Sequence, residues 1–348
     1  MEIFIGPPDD GLIASRPPAR KKEPPDPALF VDLVHELDAF REELARRKKI
    51  ATAGKAEGKW IPLAERVFKS ARLPLAPPPP PEAFARLARL FPNFQEAVDL
   101  IRDLAGLARF SGSPLRLPPL LLVGPPGVGK TSFALELAKT LGIPSRAVNL
   151  AQATSGFILT GASLVWGSGR PGAVLDLLLQ NVGNPLMVLD ELDKAGGGDQ
   201  SLPDVLLNLL EPRTAASFTD EALDWPVDAA NVLWIAAANN LRKVTEPVLS
   251  RFTVIEVREP SQEEMAETII PEIYREILGE YGLLGRFSGE IPEKTREELG
   301  KNPRGARKRI IRGLARAAET GKTELDPSAL GEGGKKGERR IGFAKEIG

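Results

Sequence analysis

Cysteine is absent from the 348-residue sequence, and histidine occurs once, as His35. Without cysteine the chain has no disulfide framework, no thiolate metal site and no cysteine nucleophile. A single histidine excludes a histidine-rich zinc cluster and argues against a Ser-His-Asp triad. We therefore expect His35 to be an ordinary surface or boundary residue rather than a metal ligand or a catalytic base.

An excess of one charge and long apolar runs are lacking as well. The 46 Lys and Arg residues nearly balance the 47 Asp and Glu residues, and the formal net charge is -1. This balance predicts neither nucleic acid nor an anionic membrane surface as a partner. The sequence has no run of about 20 apolar residues that would span a membrane, and no basic stretch followed by an apolar one at its N-terminus. We expect a cytoplasmic protein that does not bind membranes.

Proline and apolar periodicity divide the first third of the chain. Seven of the first 27 residues are proline, which predicts a tail without regular structure. From Leu29 to Leu44, apolar residues recur at three- and four-residue steps and predict one amphipathic helix. The run Pro77–Pro81 predicts an extended spacer that separates this piece from the rest. Two further helices, broken near Pro92, are expected before residue 118.

The strongest motif follows an apolar run at 120–123 that predicts a buried strand. It consists of Gly124, Pro125, Pro126, Gly127, Val128, Gly129, Lys130 and Thr131. A helical pattern comes next and closes at Gly142, which gives the strand–loop–helix context of a phosphate-binding loop. The glycines let successive backbone N–H groups surround phosphates. Lys130 can reach the β- and γ-phosphates, and the Thr131 hydroxyl can coordinate Mg²⁺. The sequence therefore predicts binding of Mg²⁺ and ATP.

Two later apolar strands end in polar side chains. The first leads to Asp190 and Glu191, and the second leads to Asn239. Ligands of α/β folds bind at the carboxyl ends of parallel strands. We predict that Asp190 holds Mg²⁺ directly or through water, that Glu191 acts as a general base toward the attacking water, and that Asn239 positions that water. The tandem carboxylates favour hydrolysis of ATP over transfer of phosphate to a small substrate.

In their order along the chain, these motifs resemble those of AAA+ ATPases, and within them the ATPase module of Lon proteases. Segment 124–131 resembles the Walker A motif, 184–194 resembles the Lon Walker B segment, and 218–220 resembles a Phe-Ser-Asp stretch. The similarity extends from about residue 119 to residue 319.

The same resemblance assigns roles to four side chains. Asn239 falls on the sensor-1 position, Arg251 on the arginine finger and Arg304 on the sensor-2 arginine. In the segment 161–172, Trp166 falls on the aromatic residue of the pore loop that grips a threaded polypeptide. A large aromatic side chain on a loop suits this role because its apolar face can contact almost any side chain.

The resemblance implies an α/β fold of the AAA+ P-loop NTPase type, with a parallel sheet in the order 5-1-4-3-2, a small helical lid after it, and a helical, Pro-rich N-terminal region before it. We predict a Pro-rich tail at 1–27, a helical segment at 28–76, a Pro-rich linker at 77–82, a helical lead-in at 83–118, the nucleotide-binding domain at 119–259, the lid at 260–325 and a tail at 326–348. The nucleotide is expected between the domain and the lid.

The function implied by the resemblance is ATP hydrolysis that drives remodelling or unfolding of a protein substrate. Such proteins assemble as rings, usually hexamers, in which Arg251 would serve the ATP of the neighbouring copy. This chain departs from Lon proteins after residue 319, where the sequence shows no Ser–Lys protease domain. We therefore expect an ATPase without proteolytic activity of its own, and a separate protease or adaptor as a candidate partner.

Two alternatives use the same ATPase core, because a fold does not determine a function. One is a nucleic-acid motor or loader, for which the basic positions between Arg304 and Arg316 could be cited. A solvated lid helix explains these positions as well, and the balanced net charge favours that explanation. The other alternative is a scaffold that uses ATP only to assemble, but the presence of Glu191 and Arg251 argues against it.

Overall fold

The computed structural model describes residues 29–50, 55–152, 155–166, 168–195, 202–300 and 302–325. Both predicted tails, 1–27 and 326–348, lie outside the described residues. None of the helices in the described ranges has the length and the apolar character that crossing a bilayer requires.

The N-terminal region contains two helices and a small antiparallel sheet. Its elements are β1 (Phe30–Asp32), α1 (Leu37–Ile50), α2 (Lys55–Lys69) and β2 (Arg72–Pro74). The prediction of one helix from Leu29 is wrong at its start, because β1 pairs with β2 and the helix begins only at Leu37. Pairing with a distant strand outweighs the local spacing here, although Leu33 is still fully buried.

The proline run does not separate this region from the rest of the chain, contrary to the prediction of a spacer. The indole Nε1 of Trp60 donates a hydrogen bond to the carbonyl oxygen of Leu223 over 2.6 Å. Next to the run, the side chain of Asn184 accepts from the N–H of Ala76 over 2.8 Å and donates to its carbonyl oxygen over 3.1 Å. Helices α1 and α2 therefore share one hydrophobic core with the central sheet.

Five parallel strands form that sheet. In chain order, the elements of this part are α3 (Ala83–Leu90), α4 (Gln95–Ser111), β3 (Leu120–Val123), α5 (Lys130–Leu141), β4 (Ser145–Asn149), α6 (Phe157–Thr160), α7 (Ala173–Leu178), β5 (Leu186–Asp190), α8 (Leu202–Leu210), α9 (Pro212–Ala215), β6 (Phe218–Asp220), β7 (Trp225–Val227), β8 (Leu233–Ala238), α10 (Glu246–Leu249) and β9 (Thr253–Glu256). The sheet order is β4-β5-β8-β3-β9. Counted along the chain this is 5-1-4-3-2, as the resemblance implied.

The sheet is buried on both faces, which explains why its inner strands are almost continuously apolar. Leu120 and Leu122 of β3 contact one core together with α3, α4 and α5. Leu121 contacts the opposite core, which includes α1, α2, α7 and α8. The predicted break between α3 and α4 is confirmed, since Pro92 begins a short 3₁₀ turn between them. Because every neighbouring pair of strands is parallel, all carboxyl ends meet at one edge.

Two smaller units complete the fold. Strands β6 and β7 form an antiparallel hairpin outside the central sheet. The lid consists of α11 (Gln262–Glu264), a π-helical turn (Met265–Ile269), α12 (Ile270–Glu280), α13 (Glu293–Glu298) and α14 (Pro303–Glu319). It has a hydrophobic core of its own, to which Tyr274 and Ile310 contribute fully buried side chains. The prediction that the lid is helical is confirmed.

Candidate nucleotide site

The loop between β3 and α5 depends on glycine at three positions. Gly127 and Gly129 have φ values of 85° and 107°, in the left-handed region that glycine tolerates best. At Gly124 a Cβ atom would lie 2.2 Å from the carbonyl oxygen of Val257. Gly129 is the residue before the first turn of α5, so the loop delivers its N–H groups directly to a helix N-terminus, where anions bind.

Lys130 connects the loop to the end of a neighbouring strand. Its Nζ donates hydrogen bonds to the carbonyl oxygens of Gly124 and Pro125 over 2.8 and 2.9 Å, and to Oδ1 of Asn239 over 2.9 Å. Only 8% of the residue is exposed. Burial lowers the pKa of the Lys130 ammonium, whereas the negative charge of Asp190 opposes this shift. The structure therefore brings Lys130 and Asn239 together, as the motif order predicts.

Thr131 and Asp190 lie side by side at the same edge of the sheet. The Thr131 hydroxyl donates to Oδ2 of Asp190 over 2.8 Å, and Oδ1 of Asp190 accepts from the N–H of Glu191 over 2.9 Å. Hydroxyl and carboxylate oxygens suit Mg²⁺, which usually takes one or two protein ligands and completes its shell with phosphate oxygens and water. Among the described residues, no three or more His, Cys, Asp or Glu side chains cluster as a metal cage would.

Glu191 follows Asp190 in a strained backbone conformation. Its φ of 59° is left-handed, which is uncommon outside glycine and clusters at functional sites. Lys194 Nζ donates to Oε1 of Glu191 over 2.8 Å, and this hydrogen bond lowers the pKa of Glu191. The carboxylate is therefore ionised at neutral pH, as a general base must be. The sequence prediction did not include Lys194, although its position three residues after Glu191 is compatible with such a pair.

The lid closes the other side of a cavity of about 740 Å³. Arg304, in the first turn of α14, lines this cavity together with the phosphate-binding loop, Asp190 and Glu191. The side chain of Asn302 accepts from the N–H of Gly305 over 3.1 Å and donates to the carbonyl oxygen of Pro126 over 3.2 Å. Asn302 thus caps α14 and joins the lid to the loop. The sequence analysis did not single out Asn302, although Asn followed by Pro is a typical signal for the start of a helix.

Part of the cavity lining is apolar, which the sequence analysis did not foresee. Leu90, Phe91, Ile269 and Ile273 contribute to its lining. The ring of Phe91 lies 5.5 Å from that of Phe133 in an edge-on arrangement. A cavity lined both by a polar loop and by apolar side chains suits a ligand that joins phosphates to an aromatic base.

Arg251 is not among the residues that line this cavity. It follows α10, and its Nε lies 3.9 Å from Oε2 of Glu211, with both side chains more than a third exposed. The fold therefore does not bring Arg251 to the nucleotide cavity of its own chain, whereas Glu191, Asn239 and Arg304 do line it.

Trp166 lies on a hairpin-like loop that we call the Trp166 loop, residues 161–166 and 168–172. Ala162 and Arg170 form an antiparallel bridge at its base. The tip carries two large apolar side chains, since Val165 is 80% exposed and Trp166 is 71% exposed. The structure therefore places Trp166 at the surface, away from the cavity that Lys130 and Asp190 line.

Comparison with known families identifies the domain that the central part of the chain forms. Residues 120–259 match the model described as "ATPase family associated with various cellular activities (AAA)". These residues form an AAA ATPase domain. Such a domain indicates ATP hydrolase activity and confirms the predicted fold class.

Curated relatives support the Lon-like character of the domain. The peroxisomal Lon protease homolog 2 of Oryza sativa subsp. japonica is 34% identical over 226 residues, which are 62% of this chain and 25% of the relative. The Arabidopsis thaliana protein of the same name is 35% identical over 180 residues, 51% of this chain and 20% of the relative. The chain spans about a quarter or less of the relatives' length.

A solved structure shows the same fold. A closed-state reconstruction of Hsp104 with ATPγS and FITC casein aligns with a TM-score of 0.55 at 16% identity, over 70% of this chain and 48% of the Hsp104 chain.

Proposed function

We propose that this chain is an ATP-driven remodeller or unfoldase of protein substrates that works as a ring oligomer. The observation that carries the proposal is the Trp166 loop. It presents two exposed apolar side chains, Val165 and Trp166, on the same domain as the nucleotide cavity. An aromatic side chain on an exposed loop can contact polypeptide of almost any sequence.

In the proposed mechanism, the N–H groups of the loop 124–131 and the Lys130 ammonium bind the phosphates of ATP. Mg²⁺, held through Thr131 and Asp190, would supply positive charge to the β- and γ-phosphates. Glu191 would take the proton of the attacking water once its carboxylate leaves Lys194, and Asn239 would orient that water. Arg304 would contact the nucleotide from the lid, so that hydrolysis would change the contact between the nucleotide and the lid.

Arg251 would act on the cavity of a neighbouring copy. Its own cavity does not include it, and a trans arginine accelerates phosphoryl transfer by about 10³–10⁵-fold in other NTPases. A head-to-tail contact of this kind closes into a ring, for which we propose six copies. A separate protease or adaptor remains our candidate partner, and the cytoplasm our predicted compartment, whereas the two plant relatives are named as peroxisomal proteins.

The basic side chains of α14 do not favour the alternative of a nucleic-acid motor. Arg307 donates to Glu276 over 3.0 Å and also contacts Glu280. Arg309 donates to the carbonyl oxygen of Leu299 over 3.1 Å. These arginines hold the lid together, so fewer of them are available for phosphates of nucleic acid. The intact set of Glu191, Asn239 and Lys130 likewise supports hydrolysis over a purely structural use of ATP.

Stimulation of the ATPase by unfolded protein tests the proposal. We expect casein to increase the ATPase rate of the unaltered protein. We expect Trp166→Ala to keep the basal rate and to lose this increase. Phe110→Ala is the matched control, because Phe110 is an aromatic residue on α4 that is even more exposed, at 92%. It should keep both rates. Full stimulation of Trp166→Ala by casein would contradict the proposed role of the loop.

A further inference from the structure

A buried carboxylate that takes no part in the nucleotide site lies at the base of the Trp166 loop. Asp220, the last residue of β6, is 0% exposed. Its oxygens accept three backbone hydrogen bonds: from Gly172 over 2.8 Å, from Ala222 over 2.9 Å and from Leu223 over 3.2 Å. Burying a carboxylate is costly unless its oxygens are paired, so these three donors explain how Asp220 is accommodated.

The three hydrogen bonds join two separate segments of the chain. Ala222 and Leu223 belong to the turn between β6 and β7, whereas Gly172 ends the Trp166 loop. The neighbouring residue adds a second connection, because the N–H of Glu221 donates to the carbonyl oxygen of Thr160 over 2.8 Å. Residues 220–221 therefore bind both ends of the loop, at Thr160, which precedes the loop, and at Gly172, its last residue.

Glycine makes this close approach possible. A Cβ atom at Gly172 would lie 2.1 Å from the carbonyl oxygen of Leu159, and one at Gly161 would lie 2.7 Å from the nitrogen of Gly172 and 3.0 Å from Oδ1 of Asp220. Gly161 also has a φ of 80°. The two ends of the loop thus meet at a point where only the absence of side chains leaves room for the carboxylate.

The hairpin that carries Asp220 is itself held in place by the N-terminal helices. The Trp60 indole donates to the carbonyl oxygen of Leu223 over 2.6 Å, and the ring of Phe40 lies 5.3 Å from that of Trp225. Asp220 consequently connects the loop to a well-packed support rather than to another exposed segment.

We propose that Asp220 is a positioning residue that fixes the direction in which Trp166 is presented to a polypeptide substrate. It does so by binding the N–H of Gly172 with one carboxylate oxygen while the other oxygen holds the turn of the β6–β7 hairpin. This inference rests on the proposed function of the Trp166 loop. Burial raises the pKa of Asp220 to about 6, so at neutral pH the ionised form, which accepts at both oxygens, predominates.

Asp220→Asn separates the two connections. An amide of the same shape has only one accepting oxygen. We expect that oxygen to serve the two donors of the turn, which leaves the amide N–H₂ group facing the N–H of Gly172. Hydrogen exchange at Gly172 should then become about tenfold faster, the factor that corresponds to losing one hydrogen bond of ordinary strength, while exchange at Ala222 and Leu223 stays unchanged.

The experiment measures residue-resolved hydrogen exchange and ATPase rates of the full chain. Asp228→Asn is the matched control: Asp228 is another buried aspartate beside the same hairpin, accepts from the N–H of Ala230 over 2.8 Å, and should not alter exchange at Gly172. Asp220→Asn should keep the basal ATPase rate and lose most of the stimulation by casein. Asp220→Ala, which removes all three acceptor contacts, should lose at least as much stimulation.

Unchanged exchange at Gly172 in Asp220→Asn would overturn the positioning role. So would full stimulation of both Asp220 variants in an assay where Trp166→Ala has lost it. If Trp166→Ala itself kept full stimulation, the proposed function of the loop would be wrong, whatever the exchange at Gly172 showed, so the two failures are distinguishable.

Discussion

The nucleotide cavity and the Trp166 loop differ in how their functional side chains are held. In the cavity, Lys130 is hydrogen-bonded to Asn239 and to the backbone carbonyl oxygen of Gly124, so its position is fixed before any ligand arrives. At the tip of the loop, the Trp166 side chain is 71% exposed, although its backbone is hydrogen-bonded to Ser163 and Gly169. A ligand of constant shape requires the first arrangement, whereas varied polypeptide sequences suit the second.

The largest expected effect comes from removing a side chain that is held in place in the nucleotide cavity. Lys130→Ala removes the ammonium that binds the phosphates, and charged hydrogen bonds of this kind contribute enough free energy for a loss of about 100-fold or more in affinity. Titration with a fluorescent ATP analogue measures the change. Lys48→Ala, on α1 and not among the residues that line this cavity, should bind as the unaltered protein does. Tight binding by Lys130→Ala would refute the phosphate-loop assignment.

An effect confined to turnover is expected at Glu191. Glu191→Gln keeps the shape of the side chain but cannot take a proton, so ATP should bind with unchanged affinity while the rate of phosphate release falls about 10²–10⁴-fold. Binding and single-turnover hydrolysis, measured on the same preparation, separate the two quantities. Near-normal hydrolysis would exclude Glu191 as the base. Unchanged binding together with slow hydrolysis would show that the residues of the nucleotide cavity have distinct roles.

A third effect concerns the pH dependence of stability at the support of the Trp166 loop. The pKa of Asp220 is raised from its ordinary 3.8 to about 6, mainly by burial, with a contribution from Asp176. The folded state therefore binds this proton more tightly than the unfolded state. Stability from this group is highest below pH 4 and falls as the pH rises to about 6, by a total on the order of 3 kcal/mol.

Chemical unfolding of the unaltered protein and Asp220→Asn between pH 4 and pH 7 measures this effect. The unaltered protein should lose free energy of unfolding relative to Asp220→Asn as the pH rises. The difference between the two proteins should become constant above about pH 6. A difference that is independent of pH would mean that the Asp220 carboxyl is not perturbed. Other titrating groups are common to both proteins and cancel in the comparison.

The sequence was a good guide wherever adjacent residues determine the geometry. The loop 124–131 and the tips of β5 and β8 were predicted to meet, and Thr131, Asp190, Lys130 and Asn239 do so. This succeeds because the carboxyl ends of parallel strands share one edge of a sheet.

Contacts between distant segments were not predictable in the same way. The pairing of β1 with β2, the docking of Trp60 on Leu223 and the bond from Asn302 to Pro126 join residues that are far apart in sequence. Local periodicity does not encode them. Asp220 was noticed only as part of a Phe-Thr-Asp stretch, and nothing nearby in the sequence indicates that it binds Gly172.

Mixing two inactive variants tests most directly whether a neighbouring copy completes the nucleotide cavity. Arg251→Ala keeps an intact cavity but lacks the arginine, and Lys130→Ala keeps the arginine but cannot hold ATP. We expect each variant alone to release almost no phosphate. An equal mixture should regain a clear fraction of the normal rate, because Lys130→Ala copies supply Arg251 to the intact cavities. A mixture no more active than its components would contradict the account.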